Sequence, residues 1–238
     1  MIRSYERSST GARKWLCSLR SKWVFGLVLV VGSFFLPVLP SIHKFLAVSS
    51  PVGQGVLVVE AWIPARTLAE SLKAFDSGRY SCVIVVGGPI AENGRGFHPV
   101  QTYDQVAARE LENLGLDPNR LVRITVPQVE EGYRTLASAA AVKRWLADSD
   151  SPRFVDVFTA GVHARKSWAV FRYALAGYRV GIISGNEYIY NPTFWFFSTT
   201  GIWYVVRNFA GFLYSKFWIP FNAQDLARLS TSQDVVPN

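Results

Sequence analysis

Cysteine is almost missing from this 238-residue chain: Cys17 and Cys82 are the two present. Cys17 lies among basic residues and Cys82 opens an apolar strand, which argues against a disulfide, and no zinc-ligand spacing occurs. Histidine is nearly as rare. His43, His98 and His163 are far apart, with no His-x-His or His-Glu-x-x-His pattern, so metal ligation finds no support. There is no G-x-S-x-G elbow and no evident Cys–His pairing, which removes the usual signs of a covalent nucleophile. Neither G-x-G-x-x-G nor a Walker A loop is present, so no nucleotide is indicated and the cofactor stays unnamed. Nor is there a basic stripe with interleaved aromatics, as nucleic-acid binding requires.

What is there begins with charge. The chain carries 25 basic and 17 acidic side chains, a net of +8. Six cations against Glu6 give residues 1–22 a net of 6 − 1 = +5, leaving only +3 for the rest. Residues 23–39 are then almost wholly apolar, a run of 17, at the lower limit for a spanning helix of about 17–25 residues. The positive-inside rule makes residues 1–22 a cytoplasmic arm and residues 23–48 a transmembrane signal anchor. Cleavage after Ala47-Val48-Ser49 is the alternative. The expected location is the inner (cytoplasmic) membrane, single-pass, with the soluble domain on the outer or periplasmic side and the lipid bilayer as partner through the N-terminal helix.

A Ser/Pro/Gly linker at 49–55 leads into a repeating pattern over 56–185. Apolar strands are expected at 56–59, 82–86, 121–126, 154–159 and 178–183. Helices are expected between them at 64–75, from Thr102 to Gly115, at 134–148 and at 164–176. A glycine-rich loop fills 87–101. Strand and helix alternate, and the strands are continuous apolar runs. This pattern predicts an α/β fold: a Rossmann-like three-layer domain with a parallel sheet of about five strands. Residues 186–222 form an aromatic C-terminal helical segment, with twelve aromatics between 194 and 221, interrupted by Arg207 and Lys216. Packing on the sheet is its first expected role and a place at the bilayer interface its second. Residues 223–238 are a polar tail.

Right-handed crossovers bring every strand's carboxyl end to one edge. That edge receives Glu60 and Arg66 after the first strand, and Gly87 and Gly88 after the second. Glu130, Glu131, Arg134 and Thr135 follow the third, and Thr159, His163, Arg165 and Lys166 the fourth. A carboxylate ending an apolar strand needs a partner, and Arg66, Arg134 or His163 are the candidates for Glu60. Cations opening a helix oppose its dipole and ask for a reason, which a bound anion supplies. Glu60 and His163 are therefore the acid/base candidates. Gly87, Gly88, Arg134, Thr135, Arg165 and Lys166 are the ligand-binding candidates, and no metal ligand is named.

In order along the chain, Val86-Gly87-Gly88, Thr102-Tyr103, Arg134-Thr135-Leu136-Ala137-Ser138-Ala139 and Thr159 through Ser167 form a motif set. This set resembles the SanA/YdcF/ElyC-like family of bacterial envelope proteins over about residues 55–185. The family's Asn-Thr-x-x-Asn-Ala helix start has Arg134 and Ser138 at its Asn positions here, and Lys166 takes an arginine place. Val58-Val59-Glu60-Ala61-Trp62 replaces the usual Leu-Gly-Gly and looks like a subgroup with a Val-Glu-Gly-Trp element. The resemblance implies a Rossmann-like domain in cell-envelope biogenesis or barrier function, linked to lipid-carrier or peptidoglycan precursors. The expected function is binding of an anionic small molecule or lipid-linked precursor, with hydrolysis or transfer left open. The alternative is a non-catalytic envelope scaffold or partner-binding protein.

Overall fold

The computed structural model describes residue 26 and residues 38–90, 101–148 and 153–217. The chain divides into two units, Met1–Ile42 and His43–Asn238. The sheet and its covering helices belong to the second. The expected basic arm, residues 23–25 and 27–37 of the expected anchor, residues 91–100 of the glycine-rich loop and residues 218–238 lie outside the described residues. No helix among the described residues is long and apolar enough to cross a membrane.

Helix α1 (Leu39–Leu46) precedes the domain. Strands β1 (Gln54–Glu60), β2 (Arg79–Gly87), β3 (Leu121–Thr125), β4 (Phe154–Ala160) and β5 (Arg179–Gly185) alternate with helices α2 (Ala65–Ser77), α3 (Tyr103–Asn113), α4 (Arg134–Asp148) and α5 (Ala164–Ala174). Helix α6 (Thr199–Phe217) closes the described chain. The five strands make one sheet in the order β3-β2-β1-β4-β5, every pair parallel. The order reverses at β1, which pairs with β2 on one side and β4 on the other. This is the crevice where an open α/β sheet binds its ligand.

Period-two alternation explains the three layers. Val56, Val58, Ile84, Val86, Val155 and Val157 face α4 and α5, meeting Leu136, Val142 and Phe171. Leu57, Val59, Val83, Val85 and Phe158 face α2 and α3, meeting Leu68, Phe75 and Leu111. Both faces are covered, so the strands read as continuous apolar runs.

The linker is shorter than the composition implies. Asp156 is wholly buried in β4, and its carboxylate accepts from Val52 N at 2.8 Å, Gly53 N at 2.7 Å and the Tyr80 hydroxyl at 2.7 Å. Ser50 also bridges Ile182. These bonds extend β1 back to Gln54 and β2 back to Arg79, ahead of the expected starts at 56 and 82. A buried carboxylate needs several donors, and the linker backbone supplies two of them.

Candidate functional site

The carboxyl ends of β1 and β4 meet α4, α5 and α6 around a cavity of about 640 Å³. Glu60, the last residue of β1, is 2% exposed. Ser167 Oγ donates to Glu60 Oε2 at 2.8 Å, and His163 Nε2 lies 3.9 Å from the same oxygen. His163 ends a 3₁₀ turn (Gly161–His163) between β4 and α5. Gly161 opens that turn at φ +44°, and a Cβ there would come within 2.8 Å of Glu187 Oε2, so the turn needs glycine.

The histidine's tautomer follows from its second nitrogen. Asn208 Nδ2 donates to the Tyr204 carbonyl at 2.8 Å, which turns Asn208 Oδ1 toward the ring. His163 Nδ1 lies 2.8 Å from that oxygen and donates to it. Nε2 therefore presents a lone pair. It is buried and has no hydrogen-bond partner among the described residues. Burial pushes the His163 pKa down, opposed by Glu60, so the ring is neutral at pH 7. The Trp62 ring packs edge-on against it at 4.7 Å between centroids.

Among the described residues, three cations line the cavity, Arg134, Lys166 and Arg207, and one carboxylate, that of Glu60. Thr135 and Ser138, in the first turns of α4, also line it, with Gly87 at the end of β2 and Gly88 just after it. Gly87 has no room for a side chain: a Cβ would come within 2.9 Å of Ala61, Tyr103 and Asp104. The net positive lining and the N-terminal end of α4 suit an anion. The described residues hold no group of three side chains able to ligate a metal.

Seven of the eight site residues named from sequence line this one cavity: Glu60, His163, Gly87, Gly88, Arg134, Thr135 and Lys166. Arg165 does not. Its Nε donates to the Phe45 carbonyl at 2.6 Å and its guanidinium stacks on the Phe45 ring at 4.0 Å, because successive residues of a helix point about 100° apart and Lys166 takes the cavity side. Arg66 stacks on Tyr188 and is not the partner of Glu60. Ser167 and Asn208 escaped the sequence reading. Ser167 was findable, since it stands four residues after His163 on the same helical face. Asn208 gave no local signal.

Glu187, just past β5, is buried, and burial raises its pKa to about 6. Its folded pKa exceeds its unfolded value, so ionising it destabilises the fold as pH rises through about 6. Glu187→Gln is expected to raise stability by on the order of 1 kcal/mol at pH 7.5, and not at all below the ordinary carboxyl range. Thermal melts of both forms at the two pH values check this.

No family model, no curated protein and no solved structure matches the chain.

Proposed function

We propose that this is a membrane-anchored cell-envelope protein of the SanA/YdcF/ElyC-like kind, whose cavity binds a phosphorylated or lipid-linked anion and hydrolyses or transfers it. The observation that carries the reading is the unpartnered Nε2 of a neutral His163, 3.9 Å from a buried carboxylate, in a cavity lined by three cations. In hydrolysis, His163 Nε2 takes the proton of an attacking water as the water oxygen bonds phosphorus; the leaving oxygen departs with the electron pair of its broken bond and then takes that proton from the imidazolium, giving alcohol and phosphate. Glu60 stabilises the imidazolium so formed. Arg134, Lys166 and Arg207 offset charge on the phosphoryl oxygens. The envelope location rests on the basic arm and apolar run of the sequence, with the domain on the outer or periplasmic side.

The test uses dodecyl phosphate, an anion on an alkyl chain, and the full-length protein in neutral detergent. Arg134→Gln and Lys166→Gln are each expected to weaken its binding about 10-fold or more, the worth of a charge-assisted hydrogen bond. Dodecanol is expected not to compete. Equal affinity of wild type and both variants, by calorimetry, removes the anion site. The scaffold reading keeps one observation in its favour, the exposed aromatic side of α6.

A further inference from the structure

Helix α6 is two-sided. Gly201, Val205 and Ser215 are buried on one side. On the other, Ile202, Val206, Phe209, Leu213 and Phe217 recur every three or four residues, and all are exposed, Phe217 by 64%. That spacing makes one continuous apolar stripe. An apolar stripe of this length on a surface helix marks an interaction face.

The choice of what covers it comes from three observations. First, residues 188–217 contain Arg207 and Lys216 and no acidic residue at all. On a helix of 3.6 residues per turn Lys216 falls at one border of the stripe, where a long side chain reaches past an apolar layer to headgroups, while Arg207 falls on the cavity side. Second, the stripe's helix touches a residue that follows the apolar run closely in sequence. Phe45 of α1 packs on Phe212 of α6 at 5.5 Å between ring centroids, and Phe45 lies 45 − 39 = 6 residues beyond the last residue of that run. Third, α6 has 19 residues but is not apolar enough to cross a membrane, so its stripe fits a helix lying in the surface.

We propose that the stripe of α6 lies in the interface of a bilayer containing anionic lipid, so that the cavity mouth opens onto the headgroup layer. Trp203 marks that mouth. It lines the cavity, is 62% exposed and stands beside the stripe. The cavity then takes its anion from the membrane plane, as the headgroup of an amphiphile whose chain stays in the lipid. This rests on the membrane tether of the proposed function and not on the chemistry at His163.

The experiment uses the full chain with Cys17→Ser and Cys82→Ser, carrying an environment-sensitive fluorophore at Val206→Cys or Leu213→Cys. Glu112→Cys, exposed on α3, is the control. The proteins are reconstituted in vesicles of equal parts phosphatidylcholine and phosphatidylglycerol, with a nitroxide on the upper acyl chain as quencher. Flotation with the vesicles reads the tether alone; quenching reads the face. The labels at 206 and 213 are expected to be quenched at least twofold more than the control. Quenching no greater than the control in floated protein overturns the proposal, and means that the chain's own tail or a second copy covers the stripe. Undiminished quenching in phosphatidylcholine alone overturns the assignment to anionic lipid.

Discussion

Replacing His163 by Ala is expected to lower phosphate release from dodecyl phosphate by about 100- to 10,000-fold, the range for a lost general base. Folding should survive, because the substitution leaves only Asn208 Oδ1 without its donor, at a cost of about 1 kcal/mol. Glu60→Gln should retain the Ser167 bond through its amide oxygen and still lose activity, since a neutral amide does not stabilise the imidazolium. The pH profile separates a base from a spacer. A base works unprotonated, and the His163 pKa is lowered by burial, so activity should persist below the ordinary histidine range before it falls. The same shift has a stability sign. The unfolded chain binds this proton more readily than the native one, so stability is full above pH 6.5 and declines as pH drops below it. Phosphate release at wild-type rate from His163→Ala would sink the base assignment, and a melting point lowered by tens of degrees would make the residue structural.

Asp156→Ala should be the most destabilising single change at a polar position, by about 3–5 kcal/mol. The loss strands three donors together, the buried Tyr80 hydroxyl and the half-buried Val52 N and Gly53 N. Burial, and then Asp156 itself, push the Tyr80 pKa up, so the phenol stays protonated and keeps donating across the ordinary range of pH. Asp156→Asn should fall between, since one oxygen still accepts while the amide NH₂ meets donors. Urea unfolding at pH 7 measures both. If neither variant loses more than about 1 kcal/mol, the carboxylate is not what holds the linker to the sheet.

The sheet was legible in the sequence because both of its faces are covered. Val56 to Val59 and Val83 to Val86 read as apolar runs for that reason alone. Topology then did the work for the site. Parallel strands place Glu60 and His163 at one edge without any knowledge of side chains, and β1 pairing with β4 makes them neighbours. Arg165 was misplaced because consecutive helix residues face different ways, and sequence alone did not say which of Arg165 and Lys166 turns inward. Asn208 was hidden for a deeper reason. It reaches His163 across 45 residues, and nothing local in an aromatic run announces an amide with a long-range partner. Asp156 sits mid-strand among apolar residues, and its backbone donors come from 103 and 104 residues away. Its position looks like an interruption until the linker is seen folded onto it.

The strand order also sets a sequence of events during synthesis. β1, β2 and β3 emerge first and can pair at once, but the other side of β1 waits for β4. Until residues 154–160 arrive, the open edge of β1 is Val56-Leu57-Val58-Val59, four apolar residues with unpaired backbone. Such an edge invites pairing with other chains. A chain halted before β4 therefore exposes its most adhesive strand, the one that ends in Glu60. The nascent half-sheet is a natural client for a chaperone.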